Sequence, residues 1–102
     1  MKQPDSCTSI QDIREAIDSI DKDIINKFGI RFEYVKAAAK FKQNTKDVKA
    51  EERFNSMLKQ RRTWAAENNL NPDLIEQLYR DLVNYFINEE LQDWKRNNNL
   101  SK

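Results

Sequence analysis

The sequence predicts an all-α domain built from three helices. Its 102 residues include one glycine and two prolines, few for a chain with many turns. Strands and tight turns use glycine, Asn-Gly pairs and β-branched runs, which are mostly missing here. At this length we expect a single domain over residues 1–102, forming either a monomer or one subunit of an assembly.

The first helix is predicted to be the longest, from about residue 9 to about residue 43. Thr8 or Ser9 can cap it, and Gln11, three residues after Thr8, completes a capping-box pattern. About 35 residues make a rod of roughly 50 Å, whereas a compact monomer of this size has a radius of gyration near 13 Å. The apolar stripe of this rod would then lie open to water, so we expect a second copy to cover it in a homodimer. The stripe alternates in threes and fours and consists of Ile10, Ile13, Ile17, Ile20, Ile24, Phe28, Arg31, Val35, Ala38 and Lys42.

Two further helices follow a polar segment, residues 43–49, which is predicted to be a loop. The second helix is expected over about 49–68. Asn71 is expected to cap the third, over about 72–97, with Pro72 in the first turn, where its missing N–H costs nothing. The last residues are expected to fray. On the second helix one side carries Phe54, Met57, Leu58, Trp64 and Ala65, and the stripe of the third carries Ile75, Leu78, Leu82, Phe86, Glu90 and Trp94.

Composition excludes several classes of function. The formal charge is +1, from 18 basic and 17 acidic residues, and this balance argues against a nucleic-acid partner. No apolar run approaches the roughly 20 residues of a membrane span, and the first ten residues lack the apolar core of a signal peptide, so we expect a cytoplasmic protein without a membrane partner. The chain has no histidine and a single cysteine, Cys7. Ser-His-Asp and Cys-His nucleophiles and the usual zinc sites are therefore excluded, and an enzyme of this kind would work without a metal or cofactor.

Two permanent cations interrupt the apolar stripe of the first helix. Arg31 and Lys42 are separated by about 20° around the axis and roughly 16 Å along it, so both side chains can lean toward one compact anion. Arg14 is about 25 Å from Arg31 on the same helix and could reach that anion only from an antiparallel partner helix. Buried cations without partners are unfavourable, which favours a pocket for a small dicarboxylate. The alternative is that the long side chains extend from the stripe to water.

Three stretches of sequence carry a family resemblance, namely "DIREAIDSID", "IRFEYVKAAAKFK" and "YFINEELQDWKR". In joint order and spacing they resemble the all-helical chorismate mutase family, and most of all its branch of isochorismate-pyruvate lyases, which make salicylate for siderophores. The resemblance implies an intertwined homodimer of three-helix chains with two shared pockets and no cofactor. It places Arg14 of one subunit together with Arg31, Lys42 and position 90 of the other.

The resemblance also implies a role for each of these residues. Arg14 and Arg31 would hold the two carboxylates of isochorismate or chorismate, and Lys42, at the mouth of the 43–49 loop, would contact the ether oxygen. Arg53 matches a further arginine of the family's pocket, although a surface role is equally open. The expected reaction is a pericyclic conversion of isochorismate to salicylate and pyruvate, with weak mutase activity. The alternatives are a monofunctional chorismate mutase, making prephenate, and a non-catalytic dimeric helical interaction module.

Position 90 is where this chain departs from the family, which usually has glutamine there to donate to the ether oxygen. An ionised carboxylate only accepts hydrogen bonds, and it would repel a dianionic substrate. Apolar neighbours and a bound anion both raise the pKa of a carboxyl group, so we expect Glu90 to act as a neutral acid, with better activity at mildly acidic pH. The alternative is that Glu90 pairs with a nearby lysine or arginine and has only a structural role.

Overall fold

The computed structural model describes residues 2–41 and 50–100. Within these ranges the regular structure is entirely helical, without a strand, so the predicted all-α class is confirmed. The described residues form three α-helices, which are α1 (Ile10–Ala38), α2 (Glu51–Glu67) and α3 (Pro72–Leu100). Short 3-10 turns precede α1 at Pro4–Ser6 and follow it at Ala39–Phe41. None of the described helices is long and apolar enough to cross a membrane.

Ser9 is the residue that caps α1. Its Oγ accepts the backbone N–H of Asp12 at 3.1 Å. In return, the Asp12 carboxylate accepts the backbone N–H of Thr8 at 3.0 Å and its hydroxyl at 3.1 Å. The predicted capping box of Thr8 and Gln11 is therefore wrong, because the hydroxyl that reaches the third N–H of the helix is that of Ser9. Gln11 donates instead to Glu15 at 3.4 Å.

α1 ends earlier than its sequence predicts. Regular α-helix stops at Ala38 and tightens into the 3-10 turn Ala39–Phe41, a common way for the last carbonyls of a helix to find donors. The predicted end, about residue 43, was extrapolated through alanines that favour helix and carry no stop signal. Lys42 and the predicted 43–49 loop lie outside the described residues.

α2 ends in a left-handed turn closed by its own backbone. Asn69 has φ 60°, a region that asparagine tolerates better than most residues. Its N–H bonds the carbonyl of Ala66 at 3.2 Å, and the N–H of Leu70 bonds the carbonyl of Ala65 at 2.8 Å. These two bonds form a Schellman motif, which stops the helix and turns the chain toward α3.

α3 begins as predicted and extends beyond its predicted end. The Asn71 side chain accepts the N–H of Asp73 at 2.8 Å, which confirms Asn71 as the cap. Pro72 occupies the first helical position, and the helix continues to Leu100 rather than ending near residue 97. Fraying of the tail, residues 97–102, stays a prediction, and residues 101 and 102 lie outside the described range.

α2 and α3 pack together in the C-terminal unit, Val35–Lys102. Met57, Leu58 and Ala65 of α2 are buried, each exposed by 4% or less. Trp64, which the helical spacing places on the same side, is 46% exposed. Its ring lies 4.7 Å from the guanidinium of Arg61, so it packs against a cation at the edge of the core.

An ion-pair network joins the two helices of this unit. Arg62 on α2 bonds Asp73 at 2.7 Å and Glu76 at 3.1 Å, both on α3. Glu76 also accepts from Arg80 at 2.9 Å. The hydrogen bond from Arg80 is the main cause that holds the pKa of the Glu76 carboxyl below its usual value. Desolvation opposes it, and the bond from Arg62 adds a smaller lowering effect.

The N-terminal unit, Met1–Tyr34, is described separately. Here α1 carries no buried residue. Its apolar stripe lies open, with Ile17 51% and Ile24 44% exposed. A helix of this length does not bury its stripe within a single copy of the described chain, which matches the expectation drawn from the length of the rod.

Candidate active site

Arg14 lies in the second turn of α1 and is exposed. Within residues 2–41 and 50–100 its side chain forms no ion pair or hydrogen bond. Helical side chains lean toward the N-terminus of their helix, so the guanidinium lies over the first turn, around Ile10 and Gln11. The position of the Arg14 guanidinium therefore depends on the first turn of α1 being helical.

Arg31 lies on the same helix as Arg14, seventeen residues further along. In contrast to Arg14 it is half-buried, and its Nη1 is shielded from solvent. Phe28, one turn earlier, is half-buried as well. The two arginines are separated by about 25 Å of helix, so one small ligand cannot touch both within one copy of α1.

Glu90 lies on α3 with its Oε1 shielded from solvent and the residue half-buried. Phe86, one turn earlier on the same face, is also half-buried, and its ring meets that of Tyr85 edge to face at 5.3 Å. Oε1 of Glu90 is thus kept from water on the same face of α3 as Phe86.

The other sequence-predicted positions are less informative. Arg53 lies in the first turn of α2 and is exposed, which leaves both its pocket and its surface interpretation open. Arg14 and Arg31 belong to the N-terminal unit, and Arg53 and Glu90 to the C-terminal unit. Lys42 is not among the described residues. A cluster of three or more histidine, cysteine or acidic side chains suited to a metal ion is absent from the described ranges.

Asp12 is a residue that the sequence-based search for a site missed. Its carboxylate accepts from the Lys2 ammonium at 3.1 Å in addition to the two bonds from Thr8. The backbone N–H of Thr8, then Lys2, and then the Thr8 hydroxyl hold the pKa of Asp12 below its usual value. The signal in the sequence was the Ser-x-x-Asp spacing that begins at Ser9, which was passed over in favour of Thr8 and Gln11.

The described ranges thus combine an all-helical fold with an open apolar stripe on α1. Residues 13–91 match the family described as chorismate mutase type II. The match covers well over half of the chain, and the chain belongs to this family.

Comparison with individual proteins points to one branch of the family. The chain is 43% identical over 96 residues to isochorismate pyruvate lyase of Pseudomonas aeruginosa (strain PAO1), a match that covers 94% of this chain and 95% of that protein. It is also 37% identical over 73 residues to the T-protein of Haemophilus influenzae (strain Rd), covering 71% of this chain but only 19% of that longer protein. Similarity over nearly the full length of both chains is thus found with the lyase.

Proposed function

We propose that this protein is an isochorismate pyruvate lyase, which converts isochorismate to salicylate and pyruvate. The observation that carries the proposal is the 43% identity to the Pseudomonas lyase across 94% of this chain and 95% of that one. The half-buried Arg31 and Glu90 agree with it, because they supply a cation and a hydrogen-bonding acid of the kind that a dicarboxylate ether requires.

The proposed reaction needs no nucleophile. The bond from the ring carbon to the enolpyruvyl oxygen breaks, and a ring hydrogen passes to the methylene carbon of the enolpyruvyl group. That group leaves as pyruvate, its former enol ether oxygen becoming the ketone, while the ring becomes aromatic as salicylate. The protein has two tasks, namely to hold the folded conformer in which the two carbons are close and to stabilise negative charge that develops on the ether oxygen.

Each site residue has a proposed part in those tasks. Arg14 and Arg31 bind the two carboxylates through planar forks suited to bidentate pairing. Lys42 places its charge at the ether oxygen. Glu90, in its neutral form, donates a hydrogen bond to the same oxygen, the role that an amide would fill at this position.

The site is proposed to be complete only in a homodimer. Two observations support this: α1 has no buried residue, and Ile10 at 62% and Ile17 at 51% are among several exposed isoleucines of its stripe. Burying a side chain of this size stabilises by about 1.5–3 kcal/mol relative to full exposure, so pairing of two stripes is strongly favoured. An antiparallel copy of α1 would also carry Arg14 of the partner subunit across the 25 Å estimated from helix geometry.

The activity can be tested with purified protein and each substrate in turn. With isochorismate we expect salicylate and pyruvate in equal amounts. When the migrating ring hydrogen is replaced by deuterium, the label should appear in the methyl group of pyruvate. Label lost to solvent would contradict the concerted transfer, and no salicylate at all would refute the proposed function.

Chorismate mutase activity is the second candidate, favoured by the family match over residues 13–91. The same cleavage of the ether bond then accompanies formation of a carbon–carbon bond, giving prephenate. We expect prephenate from chorismate at a rate well below that of salicylate from isochorismate. The reverse order of rates would assign the protein to the mutases.

A matched pair of variants distinguishes the loss of a substrate-binding cation from a general effect of removing positive charge. Arg31→Ala should lower kcat/KM by about tenfold to about 150-fold, since a charge-assisted carboxylate bond contributes about 1.5–3 kcal/mol. Lys22→Ala removes a cation from the exposed opposite face of α1 and should leave kcat/KM unchanged. Equal tolerance of both substitutions would favour a non-catalytic interaction module.

A further inference from the structure

The start of α1 is held by a small network of hydrogen bonds centred on Asp12. This carboxylate is 19% exposed although it lies in the first turn of an otherwise open helix. It accepts from the Lys2 ammonium at 3.1 Å, the Thr8 N–H at 3.0 Å and the Thr8 hydroxyl at 3.1 Å, while its own N–H donates to Ser9 at 3.1 Å. Four bonds at one residue fix both the first turn and the segment that precedes it.

The segment before the helix is tied back along α1 by this network. Lys2 is separated from Asp12 by ten residues, and the 3-10 turn Pro4–Ser6 lies between them. The Cys7 thiol closes the turn by bonding the Gln3 carbonyl at 3.6 Å. Between this segment and the helix lies a cleft of about 290 Å³, lined by Lys2, Gln3, Pro4, Cys7, Ile13, Ala16, Ile17 and Ile20. The hydrogen-bond network around Asp12 thus determines where the regular helix begins.

Arg14 depends directly on where the helix begins. It follows Asp12 by two residues, and its side chain leans back over the first turn. Free helix ends open at almost no free-energy cost, and losing hydrogen bonds at the start of a helix makes the first turn open more often. A frayed first turn would leave the Arg14 backbone without a defined direction, whereas the rest of α1 would stay wound.

Building on the lyase activity proposed above, we propose that Asp12 is a positioning residue for the substrate: by fixing the first turn of α1 it sets the direction in which Arg14 meets a substrate carboxylate. Asp12 touches no substrate in this proposal. Because Arg14 binds a carboxylate that is present in both the ground state and the transition state, losing its orientation should raise KM and leave kcat nearly unchanged.

The test compares Asp12→Ala with Asp12→Asn and with Asp23→Ala, an exposed aspartate of the same helix for which the structure shows no side-chain contact. Asp12→Ala removes the bonds from Lys2 and Thr8 but keeps the N-cap bond of its backbone N–H to Ser9, and it should raise KM about two- to fivefold because the first turn opens more often. Asp12→Asn keeps an oxygen that can accept from Thr8 and should recover most of the affinity. Asp23→Ala should behave as wild type.

Two further measurements distinguish positioning from a purely structural role. In an Arg14→Ala background, Asp12→Ala should have no additional effect on kcat/KM, because the two residues act in series. Amide hydrogen exchange of residues 13–16 should accelerate in Asp12→Ala while exchange in α3 stays unchanged. An equal effect of Asp12→Ala in both backgrounds, or faster exchange with unchanged KM, would overturn the inference. Wild-type protein that forms neither salicylate nor prephenate would refute the proposed function and the role of Asp12 with it.

Discussion

Replacing Glu90 with glutamine should change the pH dependence of the reaction more than its maximal rate. Oε1 of Glu90 is shielded from solvent, and Phe86 beside it is half-buried, so the carboxyl is suited to donate a hydrogen bond when protonated. Deprotonation converts this donor into an acceptor. Above the pKa of this carboxyl, kcat/KM should therefore fall about tenfold per pH unit until the residual activity of the ionised form is reached.

The size of the fall follows from the half-burial of the site. At an effective dielectric near 20, an ionised Glu90 about 4 Å from a substrate carboxylate is repelled by about 4 kcal/mol. The hydrogen bond to the developing charge on the ether oxygen contributes a further energy of about 1.5–3 kcal/mol. Taking only the smaller of the two effects, the ionised enzyme should be about tenfold to about 150-fold less active than the neutral one.

Glu90→Gln should abolish this dependence, because an amide donates at every pH. The assay is kcat/KM for salicylate formation from about pH 5 to about pH 9. Glu89→Gln makes the same chemical change at the neighbouring exposed position of α3 and should keep the wild-type profile. A wild-type profile without loss on the alkaline side, or identical profiles for Glu90→Gln and wild type, would refute the neutral-acid role and favour a structural ion pair.

Three other predictions concern the stability of the α2–α3 pair and the proposed pairing of α1 with a second copy. Arg80 and Arg62 hold the pKa of the Glu76 carboxyl below its usual value near 4.5. The ionised carboxylate therefore stabilises the fold above that pKa, and this stabilisation disappears as pH falls through the lower pKa of the folded state. Glu76→Gln should lower the urea midpoint at pH 7 but not at about pH 3, and an equal loss at both pH values would contradict this. Asn69→Ala should destabilise the fold by about 1 kcal/mol because of its left-handed backbone, while Asn69→Gly should not; equal urea midpoints for the two variants would show that the conformation at Asn69 is not a constraint. Ile20→Glu should shift sedimentation from dimer toward monomer, whereas Ser19→Glu, on the polar side of α1, should not; a dimeric Ile20→Glu protein would place the interface elsewhere.

Helix number and helix type could be predicted from the sequence, because they depend on local patterns of apolar residues, caps and few turn residues. The cap at Asn71 is confirmed for this reason: a capping side chain followed directly by proline permits one register. At the other end of the chain, Thr8 and Ser9 both offer a hydroxyl, and geometry alone decides that Ser9 reaches the N–H of Asp12. The end of α1 was predicted too late because its alanine-rich sequence resembles helix interior.

The candidate site was predictable only in part. Arg31 could be singled out because it is a cation on an apolar stripe. The apolar neighbours of position 90 predicted the half-burial that Glu90 shows. The proposed positioning role of Asp12 was not predictable from the apolar stripe, since its hydrogen bonds join it to Thr8, Ser9 and a lysine ten residues away. Such contacts depend on the conformation of the segment that precedes the helix. Contacts of that kind are set by the fold of the segment and not by its periodicity.

The proposed antiparallel homodimer would account for both the open stripe of α1 and the distance between its two arginines. If Arg14 of one copy opposes Arg31 of the other, the two helices cross near the midpoint of those positions, at about residue 23. The exposed isoleucines of the stripe lie around this crossing, with Ile20 and Ile24 each 44% exposed. A crossing there would cover these isoleucines and would bring Arg14 and Arg31 together at both ends of the pair, because two-fold symmetry repeats every contact. In the proposed dimer, the register that covers the apolar stripe would therefore also assemble two equivalent sites.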